Sequence, residues 1–185
     1  EISSEMADTY TYIHPQYGFS LKHPTSWTVR TDENGMVFFR PRGGQDNNMT
    51  LHIFNKPLAE AERLMPVLSV PGRRVESRTD VLLAGERWTK VLVAGQILQL
   101  TSYNNKSYGF QYSNLDTVSP QIISTIIFAP SITSLSLTKG PVGTRVVFTG
   151  KNISVGHRIE IVKAGTSFRY GDSHELLVDS KFGFT

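Results

Sequence analysis

The sequence predicts an α+β protein in which an antiparallel β-sheet is flanked by helices and followed by a partial β-sandwich. Apolar and polar residues alternate through most of residues 17–112, which is the period of strands with one buried face. Two short segments with apolar residues at helical spacing interrupt this alternation. Beyond residue 130, short apolar runs are separated by glycine-rich turns, a texture typical of all-β sandwiches.

The predicted sheet is an antiparallel meander. Its strands are expected at residues 17–21, 27–29, 36–39, 49–53, 81–83, 88–93, 96–103 and 107–112. Residues 36–39 are apolar on both faces, which predicts a central strand that is covered on both sides. Asn104, Asn105 and Lys106 predict a tight hairpin connection, because asparagine tolerates left-handed backbone geometry.

A first helix is expected within residues 57–69. Its apolar residues recur at helical spacing, at positions 58, 61, 64, 65 and 68. Pro57 suits the first turn of a helix, where a missing N–H costs nothing. Pro66 should end or kink the helix near Met65, because proline cannot donate the next backbone hydrogen bond.

A second helix is expected to begin at Ser119, which can cap it, with Pro120 at the first helical position. Isoleucines at positions 122, 123, 126 and 127 form an apolar stripe. Since β-branched residues lower helix propensity, we expect the helix to end near Thr125 and the chain to run extended through Phe128.

Composition and charge exclude several classes of function. The 185 residues contain no cysteine, which removes disulfide scaffolds, cysteine nucleophiles and cysteine zinc sites. Residues 1–130 hold 12 basic and 12 acidic residues, and residues 131–185 hold 7 and 4, so the net charge of +3 lies in the last third. This is too little for a nucleic-acid-binding face. No apolar run reaches the roughly 18 residues of a membrane-spanning helix.

Ala129-Pro130 marks the predicted domain boundary, because short apolar runs with glycine-rich turns replace the alternating pattern beyond it. Residues 1–8 are expected to be a polar linker, which would suit a stalk after a removed signal or an upstream lipid anchor. Residues 9–128 form the first predicted domain. Residues 129–185 form the second, which we expect to be incomplete, because an immunoglobulin-type sandwich needs about 100 residues.

Four segments of the first domain carry a family resemblance. They are YGFSLKHPTSW at 17–27, AGERWTK at 84–90, NNKSYGFQY at 104–112 and IISTIIF at 122–128. In this order they resemble the PsbP-like family of prokaryotic secreted proteins and lipoproteins, which is related to the Mog1/PsbP fold. The resemblance implies an antiparallel sheet between helices, an α/β/α arrangement. The photosynthetic members support the oxygen-evolving complex of photosystem II. No residue or motif of this sequence specifically indicates that role.

The second domain carries a resemblance of its own. PSITSLSLTKGPVGTRVVFTGKNIS at 130–154 resembles the start of IPT/TIG immunoglobulin-like domains, in its Pro-x-Ile opening, its GPVGT turn and its FTGKNI strand end. Such domains serve as spacers and recognition modules in cell-surface proteins. Together the two resemblances imply an exported envelope protein of a prokaryote.

No catalytic, cofactor or metal site is predicted. No two of the histidines lie at helical ligand spacing; these are His14, His23, His52, His157 and His174. The first two flank one strand and would meet only if the loops fold back. Residues 46–48 are rich in oxygen atoms but lack the spacing of a calcium loop, and residues 140–144 lack the Gly-Lys ending of a phosphate loop. There is no G-x-S-x-G nucleophile elbow.

Five residues are candidates for ligand binding: Arg73, Arg74, Arg78, Tyr108 and Tyr112. The arginines form the sharpest basic cluster, although acidic residues at 76 and 80 interrupt it. This pattern favours a solvated edge or loop, with a phosphate or acidic-polymer site as the alternative.

The aromatic residues of the first domain fit a buried core better than a stacking platform for sugars or bases. Trp27 and Trp88 are therefore predicted to be buried, whereas the tyrosines at 103, 108 and 112 are expected to reach the surface. Glycosylation sequons begin at positions 48, 105 and 152, and Asn105 in the predicted turn is the best-placed acceptor.

The predicted function is that of a non-enzymatic, exported cell-envelope protein. The sheet would be a scaffold, and the loops would bind a protein or an envelope polymer. One alternative is an enzyme, or an enzyme accessory domain, acting on envelope polymers, which predicts a deep pocket with convergent polar groups. Another is an intracellular Mog1-like partner of a small GTPase, which predicts an acidic or apolar docking patch. No cofactor and no nucleic-acid partner are expected.

Overall fold

The structure is a computed structural model that describes residues 4–44, 48–135, 139–140, 145–152, 160–163, 166–169, 175–177 and 182–183. The chain divides into two units, Glu1–Phe128 and Ala129–Thr185. Both are rich in antiparallel strands, and the described helices are few and short. This confirms the predicted predominance of antiparallel sheet.

The described residues of the first unit, 4–44 and 48–128, form a 3₁₀ turn at Ser4–Met6, nine strands and two helices. The strands are β1 (Thr9–Ile13), β2 (Ser20–Pro24), β3 (Trp27–Thr31), β4 (Val37–Pro41), β5 (Met49–Phe54), β6 (Val75–Leu83), β7 (Glu86–Val93), β8 (Gln96–Tyr103) and β9 (Lys106–Ser113). The helices are α1 (Leu58–Arg63) and α2 (Ser119–Ser124).

Seven strands form one antiparallel sheet in the order β3-β4-β5-β9-β8-β7-β6, and β1 and β2 form a separate ribbon. Two-residue turns join the last four strands of the sheet. In the turn between β8 and β9, Asn104 and Asn105 have φ values of 47° and 60°, the left-handed geometry that two-residue hairpins require. The predicted hairpin is therefore present, with Lys106 already in the strand.

The larger core cluster lies on one face of the sheet. Alternate residues of the central strands point into it, with Trp88 and Phe110 both 0% exposed. Leu21 of β2 and Phe19, just before β2, also lie in this cluster, and α2 contributes two isoleucines. Trp27 is 2% exposed in the same cluster, so the predicted burial of both tryptophans is confirmed.

The opposite face of the sheet carries a smaller cluster beneath α1 and the segment that follows it. Leu98 and Leu100 of β8 pack there against Met65 and Val67. Gly109 of β9 permits this close approach, because a Cβ atom at this position would lie only 2.8 Å from the Met65 sulfur. Each face of the sheet thus has one short helix, and the sheet lies between them.

Both helices differ from their predictions in detail. Helix α1 ends at Arg63, earlier than expected, and backbone hydrogen bonds of 3.1 Å tighten the chain into a turn at Leu64 and Met65. Helix α2 ends where it was predicted to end, beside Thr125. Ser119 is not its cap but its first residue; Val118 occupies the cap position, and Asp116 Oδ1 accepts the backbone N–H groups of both.

Four strand predictions also need correction; one is β2, which runs over Ser20–Pro24 instead of the expected residues 17–21. Strand β1 was not predicted, because Tyr10 and Ile13 are exposed and leave no clear alternation. Strand β6 begins at Val75, six residues before the predicted start, and residues 75–80 are exposed. Strand β4 is interior in the sheet but covered unequally: Phe39 is buried, whereas the neighbouring Phe38 is only half-buried beneath the Arg30 guanidinium.

In the second unit, the described strands are Ser131–Leu135, Lys139–Gly140, Arg145–Lys151, Glu160–Lys163, Thr166–Arg169, Glu175–Leu177 and Phe182–Gly183. The first, third and sixth form a three-stranded antiparallel sheet, and the others pair in two antiparallel ribbons. The predicted GPVGT turn and the calcium-like triplet at 46–48 fall largely outside the described residues, as do His157 and His174. The assignment to an IPT/TIG module stays a prediction.

Candidate functional site

His14 is a structural residue at the end of β1. Its Nδ1 atom accepts hydrogen bonds from the backbone N–H groups of Gln16 and Tyr17, each at 3.2 Å. The ring proton therefore belongs on Nε2, which lies 3.5 Å from the Gly35 carbonyl oxygen. Burial lowers the pKa of His14, and the Gly35 contact opposes this shift. The imidazole is thus neutral and holds the turn into β2.

Two further histidines are buried on separate strands. His23 lies 7% exposed on β2, where its Nδ1 contacts the Pro24 carbonyl oxygen at 3.0 Å. His52 lies 8% exposed on β5 and stacks on Phe54. Burial lowers the pKa of both rings. Among the residues that the structure describes, no group of three histidine, aspartate or glutamate side chains could hold a metal ion.

The tyrosine candidates belong to the core and not to a binding surface. Tyr103, Tyr108 and Tyr112 are 5%, 3% and 2% exposed, so the prediction that they reach the surface is wrong. Tyr112 donates its hydroxyl to Gln99 Oε1 at 2.9 Å, which satisfies the polar tip inside the core. Burial raises the pKa of Tyr108 to about 12. Neither phenol is placed to stack on a ligand.

The three arginine candidates are all exposed but do not converge. Arg73 and Arg74 lie in the turn that precedes β6, and Arg78 lies within that strand. Arg78 is already engaged: its guanidinium donates to both Glu62 carboxylate oxygens, at 2.6 and 2.8 Å. The structure therefore favours the solvated-edge interpretation of this cluster over an anion site.

An open groove of about 300 Å³ lies beside the end of β3 and the loop between β9 and α2. We call this groove the Trp27 groove, since the indole of that residue lines it. Its other lining residues are Glu5, Ser26, Pro41, Asn48, Leu115, Asp116, Thr117 and Val118. Glu5 Oε2 accepts a hydrogen bond of 3.2 Å from the Trp27 indole nitrogen. Among the described residues, the lining includes two carboxylates and no basic side chain.

The loop at the rim of the Trp27 groove is held by its own polar groups. Asp116 Oδ1 accepts the backbone N–H groups of Val118 and Ser119 at 2.8 and 3.0 Å, and its other oxygen accepts the Ser119 hydroxyl. The Leu115 N–H donates to the Ser113 hydroxyl at 3.2 Å. These bonds fix a loop whose Leu115 side chain is 85% exposed.

Leu115 was not among the candidates from the sequence. A single leucine in a polar turn has no periodic neighbours, so hydrophobic patterning cannot distinguish it from a packed residue. The usable signal was its position between Asn114 and Asp116, where a loop rather than a core is expected. A second concave surface, of about 390 Å³, lies at the end of the β6–β7 hairpin.

The three predicted sequons are all at exposed asparagines. Asn105 is in the β8–β9 turn, Asn48 precedes β5 at the Trp27 groove, and Asn152 follows a strand of the second unit. None of the helices in the described part of the chain is both long enough and apolar enough to cross a bilayer.

The first unit is thus a strand-rich α+β protein with an open, partly acidic surface groove. No protein-family model matches the chain, and neither does any curated protein. The solution structure of cyanobacterial PsbP (CyanoP) from Synechocystis sp. PCC 6803 is similar to it, at 16% identity and a TM-score of 0.49. That likeness covers 69% of this chain and 96% of the cyanobacterial chain.

A crystal structure from Bacteroides thetaiotaomicron VPI-5482 is also similar, at 11% identity and a TM-score of 0.36. It is matched over 69% of this chain, which spans only 53% of the Bacteroides chain. Because both TM-scores are below 0.5 and both identities are low, neither likeness assigns an activity, a ligand or a partner to this chain.

Proposed function

We propose that this chain is a non-enzymatic, exported cell-envelope protein that binds through the loops at one end of its sheet. We further propose that residues 9–128 are a PsbP-like domain and residues 129–185 an IPT/TIG immunoglobulin-like module. The sequence segments at 17–27, 84–90, 104–112 and 122–128 support the first assignment, and the segment at 130–154 supports the second.

The observation that carries the binding proposal is the rigid presentation of Leu115 at the rim of the Trp27 groove. Leu115 is 85% exposed, so a partner that covered it would gain binding free energy by removing its apolar surface from water. The hydrogen bonds of Asp116 hold the loop in place before any partner arrives, which reduces the ordering cost of binding. The carboxylates of Glu5 and Asp116 give the groove negative charge, which favours a ligand with positively charged donors such as amino groups.

Among envelope components, peptidoglycan presents such donors, because its sugars and peptide stems carry hydroxyl, amide and amino groups. Its acetyl and lactyl methyl groups would cover part of Leu115. The groove is open, so it suits a short segment of an extended polymer better than an enclosed small molecule. Surface recognition of this kind needs no catalytic group.

The test is co-sedimentation of the full chain with purified peptidoglycan sacculi, together with fractionation of the source organism. We expect the protein in the envelope or extracellular fraction and a saturable bound fraction on sacculi. Leu115→Ser should reduce that binding severalfold. The matched control is Leu64→Ser, because Leu64 is also an exposed leucine, 51% exposed, at the end of α1 and away from the groove lining.

Each contrary outcome points to one of the alternatives. Release of soluble muropeptides from the sacculi over time would replace the binding proposal with an enzymatic one. Recovery of the protein in the cytoplasmic fraction would favour an intracellular partner-binding protein. Equal binding by the Leu115 and Leu64 variants would move recognition away from the Trp27 groove.

A further inference from the structure

Strand β6 is an open edge of the seven-stranded sheet. In the part of the chain that the structure describes, it pairs with β7 on one side and with no strand on the other. Its nine residues make it the longest strand of that sheet, and seven of the nine are exposed. An open edge of this length is a template on which another strand can pair.

The turn after β6 fixes which of its backbone groups face outward. Ala84 and Gly85 form a two-residue hairpin turn, so Leu83 and Glu86 beside it are a hydrogen-bonded pair. Hydrogen-bonded and non-hydrogen-bonded pairs alternate along an antiparallel ladder. Thr79 therefore bonds to β7, whereas the N–H and C=O groups of the residues at 78, 80 and 82 point away from the sheet.

The charges on β6 are complementary to those of a second β6 in one register. A two-fold axis at Thr79 places Arg78 of each copy directly opposite Asp80 of the other, and opposite charges in this position stabilise a strand pair. A two-fold axis at Arg78 or at Asp80 would place like charges directly opposite one another. An axis at Ser77 also pairs opposite charges, but the bulge between Val75 and Ser77 interrupts the regular ladder there.

Two exposed side chains of β6 are compatible with this register. Arg78 donates two hydrogen bonds to the Glu62 carboxylate, but its side chain is still 51% exposed, so guanidinium N–H groups remain for Asp80 of a second copy. Leu82 is 78% exposed at the concave surface that Asp80, Val81 and Arg87 also line. Pairing of two edges would cover this leucine.

We propose that two copies of this chain associate by antiparallel pairing of their β6 strands about a two-fold axis at Thr79. The pairing joins two seven-stranded sheets into one. Outward backbone groups at 78 and 80 form the ladder beside the axis, and two Arg78–Asp80 ion pairs flank that axis. Registers centred on Arg78 or Asp80 are disfavoured, because they place like charges opposite one another.

The first test measures the mass of the full chain against concentration by sedimentation equilibrium. Wild type should pass from one chain to two. Arg78→Asp and Asp80→Arg each place like charges opposite one another, and each should raise the dimer dissociation constant by about tenfold or more. The double variant Arg78→Asp/Asp80→Arg restores opposite charges and should recover most of the dimer.

The matched control is Arg30→Asp, which reverses an exposed charge on β3 at the other edge of the same sheet. It should leave the dissociation constant unchanged. Circular dichroism of each variant shows whether it is folded. A wild type that stays a monomer at all concentrations overturns the proposal, and so does a double variant that dissociates like the single ones.

A second test uses the absence of cysteine from the chain. Thr79→Cys would place two thiols in a non-hydrogen-bonded pair across the axis, with Cα atoms about 4.5 Å apart, inside the range of about 4.4–6.8 Å that disulfides span. Oxidation should then give a covalent dimer. Thr28→Cys on the β3 edge is the control, and an equal rate of cross-linking for the two variants would contradict the assigned interface.

Discussion

Ser20 and Ile127 are joined by two backbone hydrogen bonds that close the first unit. The N–H of Ser20 donates to the Ile127 oxygen at 2.9 Å, and the N–H of Ile127 donates to the Ser20 oxygen at 2.8 Å. The next residue, Phe128, stacks on Tyr103 with ring centroids 4.5 Å apart and is 3% exposed. The chain therefore completes the core of this unit at residue 128.

Two truncations test this closure. A chain ending at Phe128 is expected to unfold cooperatively in urea, because both buried clusters lie within residues 19–128. A chain ending at Ser124 lacks Ile126 and Phe128 and loses the bridge between Ser20 and Ile127, so it should lose roughly 3–5 kcal/mol or more. Circular dichroism during urea titration measures both. Equal stability of the two truncations would contradict a core that needs residues 125–128.

Alternation predicted the strands of the sheet wherever one face of a strand is buried. Strand β5 is a clear case, because Met49 and Leu51 are buried and Thr50 between them is only half-buried. The first half of β6 was missed for the same physical reason: Glu76, Arg78 and Asp80 are exposed, and hydrophobic periodicity reports burial rather than strand pairing.

The candidate site was less accessible to sequence reasoning than the fold. Tyr112 was expected at the surface, yet Gln99 on the neighbouring strand supplies a polar partner for its hydroxyl inside the core. The Trp27 groove brings together residues near positions 5, 27, 41, 48 and 116, and only the tertiary fold makes them neighbours. Local patterning contains no information on such convergence.

The buried hydrogen bond between Tyr112 and Gln99 should contribute measurably to stability. Tyr112→Phe leaves the Gln99 side chain without this donor, which is expected to cost about 1–3 kcal/mol in unfolding free energy. Tyr112→Phe/Gln99→Leu removes both polar groups and should recover part of the loss. Tyr10→Phe is the control, since Tyr10 is 55% exposed. Equal effects of the two single tyrosine substitutions in urea unfolding would contradict this account.

The contact between Gly109 and Met65 predicts a steric effect that a second substitution relieves. A Cβ at Gly109 would lie 2.8 Å from the Met65 sulfur and 2.9 Å from a Leu100 methyl carbon, so Gly109→Ala should cost about 1–3 kcal/mol. Met65→Ala alone opens a cavity and should also destabilise, by about 2–5 kcal/mol. In the double variant the new methyl group occupies vacated space, so the total loss should be smaller than the sum. Strict additivity in thermal unfolding would show that the two positions do not meet.

The neutral, buried His14 predicts that the fold weakens as the pH falls. Burial lowers the pKa of His14 in the folded chain below its usual value near 6.5, so the unfolded chain binds more protons below that pH. The stabilisation is therefore complete above pH 6.5 and is lost as the pH falls toward the lowered pKa. Protonation of Nδ1 would also break its hydrogen bonds with the N–H groups of Gln16 and Tyr17.

The measurement is the urea midpoint of wild type and His14→Asn between pH 8 and pH 5. The asparagine oxygen can still accept a backbone N–H but cannot titrate, so the variant should show a shallower fall in stability over this range. A residual slope is expected, because burial also lowers the pKa of His23 and His52. Identical slopes for the variant and wild type would mean that His14 is protonated in the folded chain as readily as in the unfolded one.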